Sequence, residues 1–296
     1  MKPIFIVGCG RTGSRIYKQI LNNHPDIHIS GEVHLKNPWY KLLRRDNYSK
    51  LKRFRKHPNK LVKLCFSGKL NGNFWRQIQK DFKDYQKKEL EKKYSSSDRT
   101  IKTLIQMLLE ENSKMKNASI FGSKFPLHFY YTPILKKWWP DAKIIHVTRD
   151  PRAILASELN KGKKRKPNYP ISERYSLLYD IGIIFYVLVH WAWSAKFHHY
   201  FDEIWSESYK LFKYEDMISN PEKKCRDLAN FVNIEFEEKL LNIEVIGSSF
   251  NEGGPEKYGF DETRIYRWKK VLSKRKTKLM NLLLSRQMKR MGYTRI

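Results

Sequence analysis

Acidic residues are what this sequence has least of relative to need: 30 Asp and Glu stand against 59 Lys and Arg, a net charge of +29 over 296 residues. From residue 36 to 70 only Asp46 is acidic among twelve Lys and Arg, and from Arg264 onward twelve more basic residues meet no acid at all. Such a surface attracts anions, whether nucleic acid, anionic lipid, acidic glycan or phosphorylated nucleotide, and charge alone does not choose among them. Cysteine is nearly as scarce. Cys9, Cys65 and Cys225 lie far apart with no CxxC pair, which excludes a disulfide framework and a zinc site and points to a reducing, cytoplasmic setting. Nine histidines are scattered, and His198 and His199, being adjacent, diverge on a helix, so no metal is expected. Long apolar runs are missing too. Ile181–Val189, extended by Trp191–Trp193, falls short of the ~20 residues of a bilayer span and is interrupted by Asp180 and His190, so a buried helix is expected. An apolar run begins within three residues of Met1, so no signal peptide is expected.

What is present is enough for a core. An apolar fraction of 41% and eight tryptophans exclude global disorder, and the length suits one domain over residues 1–296. Ile4-Phe5-Ile6-Val7, ending at Gly8, has the pattern of a parallel strand buried on both faces. GCGRTGSR follows, and then Ile16, Ile20 and Leu21 recur at helical spacing as far as His24-Pro25. Residues 36–117 are basic, aromatic and helical in pattern, a cap inserted into a sheet domain. The sheet resumes at Ile120-Phe121-Gly122 and at Ile144–Val147, each followed by helix-compatible sequence. That alternation predicts an α/β fold, a parallel sheet flanked by helices with right-handed crossovers. Residues 161–170 read as a basic loop, 172–208 as helix, and Lys210–Tyr214 as a strand. Pro221 opens a helix to Val232, residues 247–270 form a late loop, and Ser273 caps the last helix.

The first loop carries the chemistry. A turn from a buried strand into a helix aims backbone N–H groups and the positive helix end at one point, a ready anion site. The spacing of Gly8 to Gly13 copies the opening of the triphosphatase loop GxxxxGK[ST], but Ser14 stands where that lysine belongs and the cation has moved to Arg11. This disfavours a small-molecule kinase and suits a single phosphate or phosphosulfate, although the loop alone is equally an ordinary glycine turn. PIFIVGCGRTGS followed by NNHPDIHISGE resembles the opening of the sulfotransferases that use 3'-phosphoadenosine-5'-phosphosulfate (PAPS), closest to their tyrosylprotein and glycan branch. IIHVTRDPRAILASELNKG is similar to their second phosphate element, LFKYEDMISNPEKKCRDLANFVNI to their Y-E-D-L…P segment, and RIYRWKKVLS to their closing R-W-K…L segment. Only the cap lies outside the match.

The resemblance implies a P-loop-like sulfotransferase fold and a role for each matching residue. Arg11, Thr12, Gly13, Ser14 and Arg15 would bind the donor, with Arg15 departing from the small hydroxyl residue of the family. Arg149 and Ser157 would hold the 3'-phosphate, aided by Arg264 or Arg267 from the closing segment, with Trp268 packing. Lys124, in the K-x-P position, would stabilise the leaving group and share that work with Arg11, while Ser248 or Ser249 would steady the sulfuryl oxygens. Glu32 matches the G-E position of the base, and His34, whose imidazole suits proton transfer near neutrality, competes with it. If the stretch is extended both side chains face one way, so the sequence does not separate them. Tyr214, Glu215 and Asp216 read as structural. The expected product is adenosine 3',5'-bisphosphate, without metal. The acceptor would bear a hydroxyl or acidic group, carbohydrate or glycolipid ahead of peptide tyrosine. Peripheral contact with an anionic membrane fits the charge; a nucleic-acid role does not, for want of a recognition module.

Overall fold

The structure, a computed structural model, describes residues 2–35, 47–165, 173–245 and 258–294. Five strands, β1 (Ile4–Gly8), β2 (Ile27–Ser30), β3 (Ile120–Pro126), β4 (Lys143–Thr148) and β5 (Tyr209–Lys213), form one parallel sheet in the order β2-β3-β1-β4-β5. β1 is buried along its whole length, as its unbroken apolar run requires. In the β2–β3 pair Ile27 stands opposite Ile120 and Ser30 opposite Ser123. The α/β expectation holds.

The chain forms two compact units, Met1–Val7 with Leu21–Ile145, and Gly8–Ile20 with His146–Ile296. In the first, helices fill much of the basic insertion: α2 (Asn47–Phe54), α3 (Pro58–Cys65), α4 (Asn73–Asp81), α5 (Asp84–Ser95) and α6 (Ile101–Lys114); α1 (Ser14–Asn22), before them in the chain, belongs to the second unit as far as Ile20. α6 lies on β2 and β3 and buries Leu104, Ile105, Leu108 and Leu109. Its buried Asn112 donates Nδ2 to Ser30 Oγ (2.8 Å) and pairs through the same nitrogen with His28 Nε2 (3.0 Å), while its buried Oδ1 has no hydrogen-bond partner among the described residues. A short helix, α7 (Thr132–Trp138), leads to β4.

The second unit holds α8 (Pro151–Arg165), α9 (Glu173–Ile204), α10 (Tyr214–Ser219), α11 (Pro221–Val232), α12 (Thr263–Tyr266), α13 (Trp268–Val271), α14 (Lys274–Leu283) and α15 (Ser285–Arg290). Three expectations are corrected here. The loop expected at 161–170 is helical over its first half, where Lys161–Arg165 continue α8, and residues 166–170 lie outside the described residues. The late loop expected at 247–270 is partly helical, since α12 and α13 occupy 263–271, while residues 246–257 lie outside the described residues. The apolar stretch at 181–193 belongs to a much longer helix, α9, and only one face of it is buried: Val187, His190, Trp191, Ser194, Ala195 and Phe201 pack inward while Ile181, Phe185 and Trp193 are exposed. The composition of 181–193 is apolar all round, so it did not reveal which face would find a partner. Pro221 opens α11 as expected, and the Ser273 hydroxyl accepts from Lys276 N at the start of α14.

α9 is tied down by a buried polar chain. His146 pairs with Ser194 Oγ (2.7 Å) through Nε2 and with the Tyr209 hydroxyl through Nδ1, and His198 Nδ1 meets that hydroxyl at 3.2 Å. Burial pushes His146 down to about 3 and His190 and His198 to about 4, so all three fold as neutral rings. Their unfolded forms take up protons near the ordinary value of 6.5. The stability they allow is therefore present in full above about pH 6.5 and is lost as pH falls toward the folded values. The melting temperature should drop steadily between pH 6.5 and 4, and His198→Gln should flatten that slope in a pH series of thermal melts.

Candidate active site

In the second unit the glycine loop runs from Gly8 into α1. Gly13 has φ +87, and a Cβ there would lie 2.3 Å from the ring of Tyr214, so nothing larger than glycine fits. Arg11 also adopts a left-handed backbone, φ +66, which is strained for an arginine and marks the loop as built for a purpose other than connection. Thr12 is buried and its hydroxyl donates to Cys9 O (3.0 Å), closing the turn from inside. Arg11 Nε donates to Ser157 Oγ at 2.9 Å, across 146 residues of sequence. The two residues expected to hold the donor from separate motifs are thus in direct contact. Ser14 opens α1, where helical N–H groups lack partners within the helix, and Arg15 is exposed.

Arg149, at the end of β4, lies with its guanidinium 4.1 Å from the centre of the Tyr214 ring and donates through Nη2 to Arg264 O (2.9 Å). Its buried Nε has no hydrogen-bond partner among the described residues. Arg264 Nε pairs with Asp261 Oδ2 at 2.9 Å and Arg267 reaches the same carboxylate at 3.8 Å, so Asp261 organises the closing segment. Trp268 packs, being buried with the Arg152 guanidinium 4.4 Å from its ring centre. Arg152 is itself buried and fully committed, bonded to both Asp150 oxygens, Asn281 Oδ1 and Thr294 O. Glu215 accepts from Asp150 N (2.9 Å) and from the Tyr293 hydroxyl (3.1 Å), and burial raises its carboxyl above the ordinary range. It braces the turn, as the sequence reading held; Tyr214 does more than that reading allowed, since it packs against both Gly13 and Arg149.

The first unit brings together the other three expected residues. Glu32 follows β2, Lys124 lies on β3, and the carboxylate accepts from Lys124 Nζ at 2.7 Å while His34 Nε2 meets its other oxygen at 2.9 Å. Burial pushes the Glu32 carboxyl up, but the His34 hydrogen bond and the Lys124 charge outweigh it and hold Glu32 well below the usual carboxylate range. The stretch is not simply extended: His34 has φ +45, so the turn that joins it to Glu32 is strained as well.

That turn is held from the helical insertion. Asn47, buried at the start of α2, donates Nδ2 to Val33 O (2.8 Å) and to Asn71 O (2.6 Å) and accepts from Asn71 N. Trp75 Nε1 donates to the same Val33 carbonyl at 2.7 Å, Phe74 N to Glu32 O, and Asn47 N to His34 O. Gly72 lies so close that a Cβ would meet Glu32 O at 2.0 Å and the His34 ring at 2.7 Å. Every carbonyl from Glu32 to His34 therefore has a donor in residues 47–75, none of which the sequence singled out. An asparagine inside a basic helical stretch carries no signal of the bond it will make. Ser248 and Ser249 lie outside the described residues.

Comparison with known proteins places these features. The family model described as "Sulfotransferase family" matches residues 3–238. A solved sulfotransferase domain from the Synechococcus PCC 7002 olefin synthase is similar over 99% of this chain and 95% of its own, at 17% identity and a TM-score of 0.62. A sulfotransferase domain from the curacin biosynthetic pathway is similar over 99% of this chain and 98% of its own, at 17% identity and a TM-score of 0.57. An uncharacterized protein of Aquifex aeolicus is 22% identical over 242 residues, 81% of this chain; the match spans about a quarter (26%) of that protein's length.

At such identities the likeness to the solved domains lies in the fold, and the clamp on the Glu32–His34 turn is described for this chain alone. Asn47→Ala removes two donors and one acceptor from buried backbone groups and should cost about 1–3 kcal/mol, read as a lower denaturation midpoint in urea.

Proposed function

The chain belongs to the sulfotransferase family, and from that premise we propose that it transfers a sulfuryl group from PAPS to a hydroxyl of its acceptor. The observation that carries the donor assignment is the Arg11–Ser157 contact, which joins the glycine loop to the second phosphate element. Arg149 adds a second: a buried N–H without an acceptor is costly, and a phosphate oxygen would satisfy it. Arg11, Thr12, Gly13, Ser14, Arg149 and Ser157 would hold the donor, with Arg15, Arg264 and Arg267 in supporting positions. PAPS, when bound, supplies an activated sulfuryl group on a good leaving group, and the P-loop-like cradle orients it without need of a metal.

The chain's own residues must then accept the acceptor's proton and balance the charge that develops. Lys124 supplies positive charge beside Glu32. Glu32 is the base by its position in the family motif. One observation favours a second assignment: both Glu32 oxygens are engaged and its carboxyl is held well below the ordinary range, which makes it a weak proton acceptor. In that assignment His34 takes the proton and Glu32 holds the ring and stabilises its charged form. The acceptor is a hydroxyl compound, carbohydrate or glycolipid ahead of peptide tyrosine, a preference that rests on the basic insertion. Buried free thiols at Cys9, Cys65 and Cys225 suit a reducing, cytoplasmic setting.

Calorimetry with adenosine 3',5'-bisphosphate should show binding at least about tenfold weaker in Arg11→Ala and Arg149→Ala, each of which removes a charge-assisted contact. Turnover of ATP with no binding of the bisphosphate would falsify the donor assignment. With radiolabelled PAPS and fractionated extracts as acceptor, Glu32→Gln and His34→Gln should both bind the bisphosphate normally and lose most label transfer. Greater loss in His34→Gln assigns the proton to the imidazole; greater loss in Glu32→Gln returns it to the carboxylate.

A further inference from the structure

α9 has an outward face that the donor site does not use. Its Leu177–Ile204 portion is 28 residues long and holds an 18-residue window with a mean hydropathy of 1.4, enough by length and composition to cross a membrane. It does not read as a span, because its inner face carries His190, Ser194 and His198 into a hydrogen-bonded core and Trp191 Nε1 donates to Arg149 O. The opposite face is different. Leu178, Ile181, Phe185, Trp193 and Tyr200 fall within a sector of roughly 120° at 100° per residue, and all are exposed, Phe185 at 60% and Leu178 at 57%. Leu177 and Tyr179 widen the strip at its start. A row of large apolar side chains of this length is uncommon on a soluble surface and marks a contact.

α14 borders the strip. Lys276 Nζ bonds Asp180 Oδ2 at 2.7 Å, and Leu279 and Leu283, three and seven residues after Lys276, share its face of the helix. Leu282 beside them is 70% exposed. Around these leucines Arg275, Lys278, Arg286, Lys289 and Arg290 are exposed, and no acid occurs after Arg264. Among the described side chains of α9, the acids near the strip are Asp180, already paired, and Asp202 and Glu203 at its far end.

The charge decides what this face can meet. A second copy would bring two acid-free basic segments together around the apolar strip, whereas an anionic bilayer answers both features: apolar side chains enter the headgroup boundary and the cations meet the lipid charge. We propose that the N-terminal half of α9 and the neighbouring α14 form a docking surface for an anionic membrane, with α9 lying in the interface plane. The proposal does not depend on the donor assignment.

Co-sedimentation of the full chain with vesicles of phosphatidylcholine and phosphatidylglycerol in equal parts tests it, with pure phosphatidylcholine vesicles as control. Binding is expected to the mixed vesicles and not to the control, and Leu178→Gln with Phe185→Gln should lower the partition coefficient at least about tenfold. Lys278→Glu with Arg286→Glu should do the same. Both double variants change exposed side chains, so their melting temperatures and bisphosphate binding should match the parent chain, which separates loss of docking from loss of fold or of the donor site. No binding to the mixed vesicles overturns the proposal. So does binding indifferent to Leu178 and Phe185, and so does a dimer, seen by light scattering, that those substitutions dissolve.

Discussion

The ring of Tyr214 is the surface against which the glycine loop and the end of β4 are set. It leaves no room for a side chain at Gly13 and lies 4.1 Å from the Arg149 guanidinium, while its own body is buried with Ile218 and Ile265 and with Ile16 and Phe260 packed alongside. The loop after β1, the end of β4 and the start of α10 must all meet that one ring. A rigid aromatic in a close-packed setting transmits position well, because neighbours cannot shift without opening a void. The Arg11–Ser157 contact follows from this arrangement: once the loop turns tightly at Gly13, Arg11 is directed at the first turns of α8.

Two residues with assigned chemistry, Arg11 and His34, adopt left-handed backbones that ordinary side chains avoid. Each such residue stores strain on the order of 1–3 kcal/mol, which the surroundings must offset. At His34 the offset is visible bond by bond, since Asn47, Phe74 and Trp75 donate to the carbonyls of the turn. The helical insertion thus has a task besides any contact with an acceptor: it shapes the Glu32–His34 turn. A region that varies freely in sequence to suit an acceptor would still have to keep those donors in place.

Charge is spent very unevenly. Most of the basic excess lies on exposed helices, where individual lysines contribute solubility and long-range attraction. The buried Arg152 is bonded to several groups, because an unpaired charge in the interior costs far more than a paired one. α9 departs from this division, with an apolar outer face bordered by the exposed leucines of α14.

Much of this was legible in the chain itself. Apolar runs ending at glycine marked β1 and the loop, Pro221 marked the start of α11, and Ser273 marked a helix cap, because these signals act over a few residues and need no distant partner. Resemblance to a family supplied Glu32, Lys124, Arg149 and Ser157. The sequence could not say that Ser157 meets Arg11, that Tyr214 walls the loop, that Asn47 and Trp75 hold the turn, or which face of α9 would be left outside. Each of those depends on a contact across many residues, and the identity of a side chain states what bonds it can make while only the packed chain decides with whom it makes them. The first loop was readable from its glycines as a tight strand-to-helix turn; that its arginine and the serine of α8 share one place was settled by tertiary structure.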